Sequence, residues 1–298
     1  MIPSPTNDAT PSRGTPVKKV GLVAAFSKDE AEALGEEVER WLVSKGVTVV
    51  RERGLQSDKL ADIDAIIVLG GDGLMMRSAN TYPDIPLLGI NFGKVGFLAL
   101  VERTHWMTAA EALLVGEYGV ELSATLAATI QRKGKTLDQG WAINDIVIRG
   151  GVRMIDVEVY IDGFYVNTYP GDGMIVATPR GSTAYCMAAG GPILTAGVRG
   201  FAIVPISCHS PIRTPFVAAE SATIDLLLAN RHEAALILDG RPTADLAYGD
   251  IVRVIAGVHT FRMVSLGGTN FYEAFRSKFN FRIRPDAVPT LRPPASRT

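Results

Sequence analysis

Long apolar runs are missing from this chain. No stretch approaches the roughly 20 residues that a membrane-spanning helix requires, so no membrane partner is expected. Cysteine is scarce: Cys186 and Cys208 are the only two, with no CxxC spacing. That excludes a disulfide framework and points to a reducing, cytoplasmic compartment. The four histidines, His105, His209, His232 and His259, show no HExxH spacing, so no resident metal site is expected. Net charge is almost absent: 30 Lys and Arg face 31 Asp and Glu, a formal −1. A broad surface for nucleic acid or anionic lipid does not fit that balance. Residues 1–16 have no apolar segment of the kind a secretory signal carries, and residues 285–298 are rich in proline; both read as disordered tails.

What is present is enough for a real core. The chain has 298 residues, 47% hydrophobic and 20% charged, which allows one large or two ordinary domains. The most informative stretch is LGGDGLMMRSAN, residues 69–80. A short β-branched run, 65–69, reads as a buried strand and empties into Gly70-Gly71-Asp72-Gly73 before a helical stretch at 74–80. A glycine turn between a strand and a helix exposes backbone N–H groups beside the positive end of the helix dipole, the usual way to hold phosphate. Asp72 has two readings here. It is either the N-cap of the helix or the acceptor of a proton from a hydroxyl that attacks a phosphoryl group. The glycines are either phosphate-facing or turn residues that need positive φ.

Strands expected at 20–26, 47–51, 65–69 and 87–90 alternate with helices. The first helix opens on a capping box at Ser27 to Glu30, repeats apolar residues at Ala31, Leu34, Val38, Trp41 and Leu42, and stops at Gly46. Another helix spans 104–115. This alternation predicts a parallel sheet with the glycine loop at a strand's carboxyl end, where such sheets bind ligands. A second tight loop, Asn91-Phe92-Gly93-Lys94-Val95-Gly96-Phe97-Leu98, follows the strand at 87–90. The texture then changes to strands and turns. Strands are expected at 122–131, 141–149, 154–161, 164–169, 223–228, 235–238 and 251–256, with Asp162-Gly163 as a hairpin turn. Near the end, residues 270–279 read as a helix with Phe271, Phe275 and Phe279 on one face.

Two further constellations carry chemistry. Asn144-Asp145 is a polar pair inside an apolar strand and needs partners if buried. DGMIVATPRGSTAY, residues 172–185, joins a carboxylate in a glycine turn, an apolar strand and a small-residue turn opening a short helix. In that turn Ser182 or Thr183 can be an N-cap and Tyr185 a core residue.

These motifs, in this order, resemble the NAD kinases: GGDG at Gly70, NFGKVGFLA at Asn91, ND at Asn144, DGMIVATPRGSTAYCMAAGGP at Asp172 and DGR at Asp239. The resemblance runs over residues 17–284. It implies an α/β Rossmann-like N-terminal domain at 17–118, to which 267–284 return, and an all-β sandwich C-terminal domain at 119–266, with the active site between them. It implies transfer of the ATP γ-phosphoryl group to the adenosine ribose 2′-hydroxyl of NAD, with Mg²⁺ arriving on ATP. Carried over, Asp72 is the proton acceptor, while Gly70, Gly71, Gly73 and Asn91 belong to the phosphate side. Asn144 and Asp145 hold the adenosine half of NAD and Asp172 the nicotinamide half. Ser182, Thr183, Ala184, Tyr185, Met187 and Ala188 line the dinucleotide pocket, and His209 stands near it. Arg77 and Arg153 are candidate phosphate or ribose contacts, and Arg241 is a candidate ligand contact at the position where the family has Gln. The family also implies a homo-oligomer, dimer or tetramer.

The chain departs from the family pattern in four places. Leu74 stands where Thr is usual, Asp145 where Glu is, Arg180 where a small hydroxyl residue is, and Arg241 where Gln is. Arg180 is either a replacement phosphate contact or a solvated loop cation. Two other functions fit the same motifs less well: a lipid kinase of the same superfold, and a non-catalytic NAD(P) sensor.

Overall fold

The computed structural model describes residues 14–25, 29–55, 62–92, 96–195, 197–211, 213–266 and Phe275. Both expected terminal tails, apart from residues 14–16, lie outside the described residues. So do the start of the capping box and the helix expected at 270–279, apart from Phe275. The chain forms two compact units. One takes in the chain up to Glu121 and again from Arg262, and the other is Leu122–Phe261.

The first unit runs β1 (Lys19–Ala24), α1 (Asp29–Ser44), β2 (Thr48–Arg51), β3 (Ala65–Leu69), α2 (Asp72–Thr81), β4 (Leu87–Asn91), β5 (Val101–Glu102) and α3 (Trp106–Val115). Its strands are parallel in the order β2-β1-β3-β4, and β5 continues beside the end of β4. Every residue of β3 and β4 is buried, because helices cover both faces of a parallel sheet. In α1, Ala31, Val38 and Leu42 are fully buried on one stripe. Trp41 meets Trp106 of α3 edge-on, with ring centroids 5.7 Å apart. Gly46 and Gly116 adopt positive φ of 81° and 75° just past α1 and α3, the left-handed turn that ends a helix.

The second unit is β-rich. It contains β6 (Gly119–Arg132), β7 (Lys135–Ala142), β8 (Asp145–Gly150), β9 (Ile155–Ile161), β10 (Phe164–Gly171) and β11 (Gly173–Ala177). A one-turn helix α4 (Tyr185–Ala188) precedes β12 (Gly200–Ile206), β13 (Phe216–Ala219), β14 (Ile224–Leu228), β15 (Ala234–Leu238), β16 (Arg241–Leu246) and β17 (Ile251–Ser265). Two sheets stack, β10-β9-β14-β17-β6-β7 and β13-β12-β11-β8-β15-β16. Burial alternates along β9, β14 and β15, so each aims one face at a common core. Ile146, Met174 and Val176 meet Val157, Leu226 and Val252 there. The other face of β11 and β12 packs under Cys186 and Leu194, which explains why both strands are buried along their whole length.

Asp162 and Gly163 take φ of 51° and 83°, the mirror-image turn that a two-residue hairpin favours. Other expectations need correcting. The single strand expected at 141–149 is two: β7 ends at Ala142, β8 begins at Asp145, and the chain bends at Ile143 and Asn144. The strand β12 escapes a sequence reading because it contains Pro205. Pairing with β13 ends at Ile203 opposite Phe216, so the proline sits where β12 has a partner on one side only, β11. The edge strand β16 is mostly exposed and much of β7 is too, so neither shows apolar alternation.

Phe201 on β12 is among the largest fully buried side chains. Phe201→Ala is expected to lower stability by about 3–5 kcal/mol, read as a shift in the urea midpoint with little change in slope.

Candidate active site

In the first unit the site is built around the exit of β3. Gly71 is the N-cap of α2, with φ −90° and ψ −174°, and no side chain caps it. Asp72 is therefore the first residue of the helix, and the N-cap reading of its side chain is incorrect. Its carboxylate reaches across to the second loop instead. Oδ2 accepts from the Phe97 N–H at 2.8 Å, and Oδ1 accepts from the N–H groups of Leu98 and Ala99 at 3.0 and 3.1 Å. Gly96 is required by that approach: a Cβ there would lie 1.7 Å from Asp72 Oδ1.

The three glycines of the turn do not have positive φ, so that reading also fails. A Cβ on Gly70 would strike the Leu74 side chain at 2.6 Å, so the leucine at the unusual position covers this glycine. Gly71 and Gly73 are exposed, and a Cβ on either would meet nothing within 4 Å. Neither backbone strain nor packing calls for glycine there. Open space over backbone N–H groups at a helix N-terminus is what a phosphate needs. At the end of β4, the carboxamide nitrogen of Asn91 is buried without a hydrogen-bond partner among the described residues. Such a donor costs about 1–3 kcal/mol unless a ligand takes it up. Arg77 does not join this group. Its guanidinium is paired at 3.2 Å with Glu52, in the turn that follows β2.

The second unit gathers the remaining residues around the bend between β7 and β8. The Asp239 carboxylate accepts from the N–H groups of Ile143, Asn144 and Asp145 at 2.8, 2.7 and 3.2 Å. Thr178 accepts nothing from this bend and donates twice: its hydroxyl to the Ile143 carbonyl at 2.6 Å and its N–H to the Asn144 carbonyl at 2.9 Å. A Cβ on Gly181 would lie 2.0 Å from the Asn144 oxygen, so the turn after Thr178 must carry glycine. Burial, with the Asp239 charge nearby, pushes the Asp145 carboxyl from 3.8 up to about 7. Burial and the Asp145 charge push the Cys186 thiol up to about 11, which leaves it protonated and unreactive at neutral pH.

Asp172 lies between β10 and β11, half-exposed, and Arg149 of β8 approaches it at 3.8 Å. Arg149 also donates to the Tyr185 hydroxyl at 2.5 Å. Arg149, which sequence reasoning missed, thus ties together two residues that it did single out. His209 donates its N–H to the carbonyl of Pro170, two residues before Asp172, and lines an open cavity of about 610 Å³ with Cys208, Ser210 and Arg213. Thr183, Ala184 and Met187 are partly exposed, and Tyr185 and Ala188 exposed, around the turn Gly181–Thr183 and α4. Ser182 is different. It is fully buried, its hydroxyl donates to Pro179 and accepts from the Leu194 N–H at 2.9 Å, so it braces the turn and has no face for a ligand. Arg153 is exposed in the β8–β9 turn and Arg241 is exposed at the start of β16; the geometry joins neither to the bend. Arg180 stacks over Phe261 at 5.2 Å and donates to the Ser123 hydroxyl at 3.1 Å, an anchoring role that neither sequence reading anticipated.

Family comparison places both halves of the chain. Residues 52–118 match the ATP-NAD kinase N-terminal domain and residues 144–266 the ATP-NAD kinase C-terminal domain. An NAD kinase of Thermomicrobium roseum is 55% identical over 275 residues, covering 92% of this chain and 96% of that protein. The chain belongs to the NAD kinase family. An NAD kinase of Natranaerobius thermophilus is 34% identical, covering 88% of this chain and 98% of its own length. Among solved structures, a yeast NADH kinase complexed with NADH superposes with a TM-score of 0.81 at 20% identity, over 93% of this chain and 91% of that one. An NAD kinase from Archaeoglobus fulgidus in complex with ATP gives 0.68 at 23%, over 88% and 97%. These two agree with the NAD kinase fold described above, an α/β unit followed by a β-sandwich.

The raised Asp145 carboxyl has a consequence for stability. Its folded value lies above its unfolded value, so its favourable contribution is complete below about pH 4 and is lost as pH rises through 7. Over about three pH units the loss is on the order of 4 kcal/mol. Urea unfolding of the ligand-free protein at pH 5 and pH 8 should show wild type losing stability relative to Asp145→Asn as pH rises. Parallel behaviour of the two proteins would contradict the assignment.

Proposed function

We propose that this chain transfers the γ-phosphoryl group of ATP to the 2′-hydroxyl of the adenosine ribose of NAD, giving NADP and ADP. The observation that carries this reading is the open space above Gly71 and Gly73 at the start of α2, with the Asp72 carboxylate beside it. The matched family domains support it, and the lipid-kinase and sensor readings have no comparable support.

A carboxylate offers about four lone-pair directions. Backbone donors take three of those on Asp72, two on Oδ1 and one on Oδ2. Oδ2 keeps a direction for a substrate hydroxyl, held in place by the same bonds that fix the loop. Phosphoryl transfer has a loose transition state, so the hydroxyl need not lose its proton early. Asp72 orients the ribose hydroxyl and takes its proton late, a contribution of roughly 10²–10⁴ in rate. The N–H groups at the α2 terminus and the Asn91 amide hold triphosphate oxygens. Asn144 and Asp145 take the adenosine half of NAD, and Asp172, Tyr185 and Arg149 the other half. Among the described residues no three His, Cys, Asp or Glu side chains gather as a metal site. Mg²⁺ would enter on ATP, keep several waters and supply neutralisation of charge on the triphosphate. Among the described residues no helix is long and apolar enough to cross a membrane. A cytoplasmic homo-oligomer completes the reading, on the cysteine usage and the family resemblance.

Asp72 has a second role that its three backbone bonds favour, as the organiser of the 97–99 loop. The two roles separate experimentally. Purified protein with Mg-ATP and NAD is assayed for NADP by a coupled NADP-specific dehydrogenase, with Asp72→Asn alongside. A proton-accepting Asp72 predicts a drop of at least about a hundredfold in kcat with NAD affinity retained. Undiminished turnover removes the proton-accepting role, and loss of folding together with turnover leaves only the organising one.

A further inference from the structure

The bend at residues 143–145 is tied down completely. Its three N–H groups all go to the Asp239 carboxylate. Its three carbonyls go to the Thr178 hydroxyl, the Thr178 N–H and the Asp239 N–H, the last at 3.0 Å. Six backbone groups of three consecutive residues thus each find a partner in one of two residues. Asp239 can do this because it occupies the hairpin turn between β15 and β16. It takes φ 48° and Gly240 takes φ 75°, a conformation that Asp and Gly tolerate and most residues resist.

We infer that Asp239 is a positioning residue for the dinucleotide: by holding the bend, it presents the Asn144 and Asp145 side chains to the adenosine half of NAD. This rests on the NAD-phosphorylating reading above. Asp239 sits behind the bend and touches no substrate in this account. Burial, with the Asp239 charge adding to it, holds Asp145 toward its neutral form, in which it offers a hydroxyl donor as well as an acceptor. Adenosine presents both donors and acceptors, and an Asn beside an Asp held toward its neutral form can meet both.

The test uses Asp239→Ala and Asp239→Asn in the full chain. The alanine removes all three acceptor contacts. The asparagine keeps one acceptor oxygen and tolerates the same φ, so it folds if the alanine does not. Steady-state KM is measured for NAD and for ATP, and NAD affinity is measured separately by calorimetry. The expected result is a rise in NAD KM and Kd of at least tenfold for Asp239→Ala and a smaller rise for Asp239→Asn, with ATP KM within twofold. A merely structural role lowers the active fraction and so the apparent kcat, leaving NAD KM and Kd unchanged; that outcome overturns the inference, as does an equal rise for both substrates. If wild type binds NAD but forms no NADP, the catalytic reading fails while the calorimetric comparison still decides the role of Asp239.

Discussion

A carboxylate that collects three consecutive backbone N–H groups is the interaction on which the loops of both units depend. Asp72 does this for residues 97–99 and Asp239 for residues 143–145. Successive N–H groups that point the same way form a nest that attracts anions. Here each nest is already filled by an internal anion, with charge-assisted bonds that contribute about 1.5–3 kcal/mol each. A phosphate has no access to those donors. On the proposed reading a phosphate goes instead to the N-terminus of α2, where a Cβ on Gly71 or Gly73 would meet nothing within 4 Å. Internal carboxylates thus shape both loops and fill both nests.

The glycines sort into two physical classes, and the distinction matters for function. Gly96 and Gly181 are required by close approach: a side chain on either would strike Asp72 or the Asn144 carbonyl. Gly71 and Gly73 are required by nothing in the ligand-free protein. Gly73 lies in the first turn of a helix, where glycine is less stable than alanine by about 0.5–1 kcal/mol. On the proposed reading, that exposed position is where a phosphate comes close to the backbone.

Much of this was legible in the residues. The β-branched run at 65–69 and the spacing of Ala31, Val38 and Leu42 announce the strand and helix of the first unit, because burial on a sheet or a helix stripe leaves that period in the sequence. The Asp162-Gly163 turn declares itself by the conformation only such residues accept. What stayed hidden depends on distant partners. Nothing in the order of residues shows that Asp239 reaches back to 143–145, or that Arg77 is taken by Glu52 and Arg180 by Phe261 and Ser123. Ser182 looked like a ligand contact because it sits in the motif, yet its hydroxyl is spent on the turn itself. A motif marks the segment that forms a site; which side chains face the ligand is decided by packing.

If the turn after β3 is shaped for a phosphate, it is so at the expense of the fold. Gly73→Ala tests it in one variant, by thermal unfolding of the ligand-free protein and by NADP formation at varied ATP. The account predicts a protein as stable as wild type or more so, by up to about 1 kcal/mol, with kcat/KM for ATP lowered at least tenfold. A stabilised variant with unchanged kcat/KM for ATP would contradict it, since the space above Gly73 would then serve no ligand.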